Sequence, residues 1–129
     1  MTQQEKDVLR HTRAQALLIR RIRERSEEEE GRTICAMRID AMPRGSASTA
    51  GLDAGMIRRE EMARMLRREE ARFRRLEKKA REAILLLKPE LYAFCALYYI
   101  EGMSMERVGE ALDRSARQCR RYKREIEDD

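Results

Sequence analysis

The sequence predicts an all-α protein: a long, coiled-coil-like helical hairpin followed by a C-terminal helix-turn-helix unit. Charged residues make up 41% of the 129 positions and aromatics only 5%, a balance that suits long solvent-exposed helices better than a large globular interior. Little in the composition builds a sheet. Apolar residues recur at three- and four-residue spacings toward both ends of the chain, and helix start signals stand in front of them.

Thr2-Gln3-Gln4-Glu5 has the form of a capping box, in which hydroxyl and carboxylate satisfy each other's orphan backbone N–H groups, so a helix begins there. Val8, Leu9, Ala14, Leu17, Leu18, Ile19 and Ile22 form its apolar stripe, and Arg10, Arg13, Arg20, Arg21 and Arg23 take the other face. The carboxylates of Glu27 to Glu30 repel one another and Gly31 follows, which predicts fraying at that point and a first segment of 1–30. Residues 31–55 read as a linker, with Gly31, Gly45, Gly51, Gly55, Pro43 and the small residues from Ser46 to Thr49. Its apolar Ile34, Cys35, Met37, Ile39 and Met42 are candidates to dock on neighbouring helices.

From Met56 to about Lys88, neither Pro nor Gly interrupts a run of good helix formers, which predicts one long helix over 56–88. A heptad fits with Leu66, Phe73, Ala80 and Leu87 at one core position and Met62, Glu69, Leu76 and Ala83 at the other. Such a seam must be buried, either against the N-terminal helix as an antiparallel hairpin or between two copies in a homodimer.

Residues 89–129 form the last unit. Pro89 suits the first turn of a helix, where its missing N–H costs nothing. Leu91, Phe94, Cys95, Leu97, Tyr98 and Ile100 follow at helical spacing, and Gly102 closes the helix. Ser104 is the expected N-cap of a short helix that buries Met105, Val108, Ala111 and Leu112. Asp113-Arg114 makes a tight turn, and Ser115-Ala116-Arg117-Gln118 is a second capping box. Two short helices joined this closely predict a helix-turn-helix. In its second helix Cys119, Tyr122 and Ile126 share a buried face, which leaves Arg117, Arg120, Arg121 and Arg124 opposite, with Ala116 at the start and Lys123 flanking. From Arg114 to Arg124 six residues are basic and none is acidic, whereas Glu125, Glu127, Asp128 and Asp129 follow at once.

The formal charge of +5, from 29 basic and 24 acidic residues, favours a polyanionic partner. Double-stranded DNA fits best, because a recognition helix puts N-terminal side chains on base edges and offers basic residues to phosphates. Arg117 and Arg121 are the candidates for bidentate contact with guanine. Arg114, Arg120, Lys123 and Arg124 are assigned to the backbone, beside Ser115 and Ala116. Cys35, Cys95 and Cys119 are odd in number and lack close spacing, which argues against a disulfide framework or zinc site, and they read as reduced small hydrophobes. With a single histidine, His11, and no glycine-rich phosphate loop, no catalytic constellation, metal site or cofactor is expected. No apolar stretch reaches membrane-spanning length, so no membrane partner is expected and the protein reads as cytoplasmic.

The run from Ser104 to Tyr122, SMERVGEALDRSARQCRRY, resembles the helix-turn-helix of the fourth region of bacterial sigma factors, and Leu97-Tyr-Tyr-Ile-Glu-Gly-Met-Ser resembles the lead-in to that motif. A closer likeness is to small sigma-like proteins of prophages and integrative elements, related to phage late-gene regulators, in which a helix, a Met-Pro-basic-Gly-Ser linker and a long helix precede this unit. Here the linker reads Ala41-Met-Pro-Arg-Gly-Ser. The resemblance implies a DNA-binding regulator whose Ala116, Arg117 and Arg121 match the promoter-reading face, with RNA polymerase as a further partner. Arg114 stands where an apolar turn residue is usual, and Ala116 replaces a long polar one. No residues resemble the sigma regions that bind the polymerase clamp or melt DNA. Two other functions compete: a phage-encoded protein that binds and modulates a host protein or nucleic-acid complex, and a small DNA-packaging subunit.

Overall fold

The computed structural model describes residues 1–40 and 49–128, with the side chains of all of these except 32–40 and 49–53. All described elements are helical: α1 (Gln3–Asp40), α2 (Thr49–Ile84), α3 (Pro89–Cys95), a π-helical turn (Ala96–Ile100), α4 (Met105–Leu112) and α5 (Ala116–Asp128). The protein is therefore all-α, as its composition predicts. The chain divides into two compact units, Met1–Leu17 with Ala71–Asp129, and Leu18–Glu70.

Both long helices exceed their expected bounds inward. α1 does not fray at Gly31 but continues to Asp40, and α2 starts at Thr49 instead of Met56, so residues 31–40 and 49–55 are helical. Of the four carboxylates Glu27–Glu30, Glu29 is buried and partnered, and the other three are exposed. The Ala41-Met-Pro-Arg-Gly-Ser segment, and the side chains of Ile34, Cys35, Met37, Ile39 and Met42, lie outside the described residues. At its other end α2 stops at Ile84, four residues before the expected Lys88. A proline disfavours α conformation in the residue before it, and Lys88 is accordingly extended at φ −54°, ψ 147°, with Leu85 to Leu87 forming a turn ahead of it.

The Thr2 capping box forms in both directions: Glu5 N–H donates to Thr2 Oγ1 at 3.2 Å, and Thr2 N–H donates to Glu5 Oε2 at 3.0 Å. In the first unit Leu9 joins Ala80, Ile84, Phe94, Cys95, Tyr98, Tyr99, Ile100, Val108, Cys119, Tyr122 and Ile126 in one core. Phe73 and Leu87 of the heptad pack partly against it. Thr12, fully buried, returns its hydroxyl to Val8 O at 2.7 Å and lies 3.4 Å from Leu76 O, so a polar residue sits between α1 and α2 with its donor satisfied. Ala14, placed on the apolar stripe by spacing, is exposed. In the second unit Ile19 and Ile22 are buried, and Arg23 pairs with Glu70 at 3.0 Å.

The helix expected over residues 89–100 widens into a π-turn after Cys95, marked by Glu101 N–H donating to Ala96 O. The widened turn brings Tyr98, Tyr99 and Ile100, three consecutive residues, into the core, an arc that an α-helix spreads over about 200°. Phe94 stacks on Tyr98 at 5.3 Å, and Tyr99 meets Tyr98 edge-on at 4.9 Å. Gly102 ends the turn at φ 70°, a conformation that suits glycine.

Candidate nucleic-acid interface

α4 and α5 are joined by Asp113, Arg114 and Ser115. Ser104 caps α4, its hydroxyl accepting from Arg107 N–H at 3.3 Å. α4 ends in a Schellman arrangement: Asp113 adopts the left-handed conformation (φ 53°, ψ 47°), Arg114 N–H donates to Gly109 O at 2.8 Å, and Asp113 N–H donates to Glu110 O at 3.3 Å. Ser115 then caps α5, accepting from Gln118 N–H at 3.2 Å. The turn closes tightly because residue 109 is glycine. A Cβ built there would lie 2.7 Å from the Arg114 carbonyl oxygen. Val108 and Gly109 are buried, Met105 and Leu112 half-buried, and Ala111, expected in the core, faces solvent.

α5 buries Cys119, Tyr122 and Ile126, the three residues that spacing selects. Arg117, Arg120, Arg121 and Arg124 are accessible on its other side, as are Arg114 and Ser115, while Ala116 and Lys123 are half-buried. Most of these residues divide between adjoining hollows. Ser115, Arg117, Gln118, Arg121 and Arg124 line a shared hollow of about 300 Å³. Arg114 lines a second hollow with Glu90, Asp113, Ser115, Gln118 and Tyr122. Lys123 turns toward Tyr98, its ammonium 5.6 Å from the ring centroid. Gln118, which the sequence marks only as half of a capping box, lies in both hollows. The available signal is its place beside Arg117 in the first turn of α5, where an amide can pair with adenine as arginine pairs with guanine.

The other end of α5 is held by residues that no local pattern connects. Lys6, itself buried, donates to the Glu127 carbonyl at 3.1 Å and so supplies a cation to a helix C-terminus whose own side chains are acidic. Tyr99 OH donates to Glu127 Oε1 at 3.0 Å, and Arg10 approaches the same carboxylate at 3.9 Å. Burial, and then this bond, raises the Tyr99 phenol above its ordinary range. Arg13 does not lie on the solvent face assigned to it. It spans the end of the π-turn, donating to Tyr98 O at 2.6 Å and Met103 O at 2.9 Å with its guanidinium 3.8 Å from the Tyr98 ring centre.

Burial pushes the Cys95 thiol up to about 12 and raises Cys119 as well, so both stay protonated and behave as core residues. Among the described residues no cluster of His, Cys, Asp and Glu could hold a metal ion, and no helix is long and apolar enough to cross a membrane. No family model, curated protein or solved structure matches the chain.

Proposed function

We propose that the chain is a DNA-binding transcriptional regulator of phage or mobile-element genes, with α4 and α5 acting as a sigma-like helix-turn-helix. One observation carries the reading: Arg117, Arg121 and Arg124 converge with Gln118 and Ser115 on the outward side of a helix whose opposite side is locked into the core. Arginine and glutamine are the side chains suited to guanine and adenine edges in the major groove, and a capped helix N-terminus favours the nearby phosphates. The resemblance of residues 104–122 to the fourth sigma region supports the same reading. Arg117 and Arg121 are assigned to base edges, with Gln118 beside them. Arg114, Arg120 and Arg124 are assigned to phosphates, and Lys123 contributes charge from the flank.

Selection of bound fragments from random duplex, followed by fluorescence anisotropy on the recovered site, tests this. Arg117→Gln and Arg121→Gln should each weaken the selected site by about 1–3 kcal/mol and relax preference at one or two base positions. Enrichment of no sequence, or indifference of a selected site to both replacements, would refute it.

A second reading, a protein that docks on a host protein such as RNA polymerase, is favoured by Leu85 and Leu86, which are 67% and 97% exposed in the turn after α2. Co-purification of a defined host complex that disappears on Leu85→Ser/Leu86→Ser, with no sequence selected from duplex DNA, would replace the first reading by this one.

A further inference from the structure

The second half of α2 carries a charged face that the α5 reading leaves unused. Ala80 and Ile84 are buried and Phe73 and Leu76 are partly so, which fixes its inward side. At about 100° per residue, Arg74, Arg75, Lys78 and Lys79 fall on the outward side.

Solvated helix faces usually alternate in sign, and α2 does so in places: Arg64 pairs with Glu60 at 3.9 Å and Arg81 with Glu77 at 2.8 Å, each one turn apart. Over Arg74–Lys79 the neighbours four apart are like charges, Arg74 above Lys78 and Arg75 above Lys79, an arrangement that destabilises a helix, and Glu77 within the stretch is held by Arg81. Glu70, the carboxylate one turn before Arg74, is held by Arg23 at 3.0 Å. Glu82, exposed one turn after Lys78, is the carboxylate on this face, so four cations stand against one acid.

We propose that this face of α2 is a second contact surface for the phosphates of duplex DNA, which adds affinity without reading sequence. An anionic partner relieves the repulsion that the isolated helix retains, and phosphate contacts need no base geometry. The choice of DNA as the polyanion rests on the reading of α5; the location of the surface does not.

The test uses the full chain, a mixed-sequence duplex and a salt titration, with three proteins: wild type, Arg74→Gln/Arg75→Gln/Lys78→Gln/Lys79→Gln, and Arg117→Gln/Arg121→Gln. Glutamine keeps helix propensity and removes like-charge pairs, so the fourfold variant stays folded, as far-UV circular dichroism checks. Every phosphate that the protein no longer neutralises should make the negative slope of log K against log salt shallower by about 0.9, so two to four of them flatten it by roughly 2 to 4. The fourfold variant should keep the sequence preference of wild type, which the α5 variant loses. A salt slope unmoved by the fourfold change in a chain that still selects a sequence overturns the α2 surface and leaves α5 standing. A salt slope made shallower by the fourfold change in a chain that selects no sequence supports the α2 surface and sinks the reading of α5. Binding to phosphatidylserine vesicles that the fourfold change abolishes, with duplex binding untouched, also overturns it.

Discussion

Replacing Gly109 by alanine sets two opposing effects against each other at the joint between α4 and α5. Alanine favours a helix interior over glycine by about 1 kcal/mol. Against this, the new Cβ would sit 2.7 Å from the Arg114 carbonyl oxygen, a backbone atom of the turn that cannot rotate away as a side-chain tip would. Relief requires the turn to open by several tenths of an ångström, at an overpacking cost of about 1–3 kcal/mol. It also strains the 2.8 Å bond from Arg114 N–H to Gly109 O, worth about 1 kcal/mol. The net expectation is a loss of about 1–2 kcal/mol, with Ser115 and the start of α5 displaced. Gly31 provides the control, because nothing lies within 4 Å of a Cβ built there. Gly31→Ala should stabilise α1 by about 0.5–1 kcal/mol. The assay separates the two cleanly: the four tyrosines, Tyr92, Tyr98, Tyr99 and Tyr122, all lie in α3, the π-turn and α5, and there is no tryptophan. Urea unfolding followed by tyrosine fluorescence therefore reports the Gly109 change, and far-UV circular dichroism reports the Gly31 change. A Gly109→Ala protein as stable as wild type by tyrosine fluorescence would show that the turn yields at no cost and would refute the close-packing argument.

Two further outcomes follow from residues behind the interface. Arg13→Met removes two charge-assisted hydrogen bonds, both from Nη1, and the stacking on Tyr98, so tyrosine-detected stability should fall by about 2–4 kcal/mol; Arg13→Lys should recover only part, because an ammonium can donate to both carbonyls but has no planar group to stack on the ring. Recovery by lysine to the wild-type level would mean that charge alone matters there. The Cys95 thiol gives a pH dependence: above pH 9.0 the unfolded thiol ionises while the folded one, pushed up to about 12, keeps its proton. The folded state then binds more protons, and stability falls as pH rises through that window, by at most about 1.4 kcal/mol per pH unit from this group. Cys95→Ala should flatten the decline measured in urea melts between about pH 9 and about pH 10.5, with Cys119 and Tyr99 maintaining a residual slope; an unchanged slope would remove Cys95 as its source.

Local chemistry makes much of this molecule legible. The capping at Thr2, Ser104 and Ser115 depends on residues three apart, and the buried face of α5 depends on spacings of three and four, so both can be read from the chain alone. The helix boundaries near Gly31 and Met56 cannot, because composition speaks for the isolated chain. Glu29 is buried and partnered, which a run of four glutamates does not disclose. Likewise the π-turn has no signature in the spacing of Leu91 to Ile100, since it answers to the packing of Tyr98, Tyr99 and Ile100 together.

What sequence cannot supply is the framework behind α5. Lys6, Arg10 and Arg13 look like ordinary members of a charged helix, yet they reach Glu127, Tyr98 and Met103, more than eighty residues away. These bonds hold both the C-terminus of α5 and the π-turn that packs beneath it, while Ser115 and the Gly109 turn hold its other end. A side chain that reads a base must be held to within a fraction of an ångström. The first helix therefore belongs to the proposed interface although it contributes none of its contacts, and its arginines matter for where they fasten as much as for their charge. Lys123 is turned toward Tyr98 and Arg114 lines a separate hollow beside Glu90, so the outward hollow on α5 is centred on Arg117, Gln118, Arg121 and Arg124.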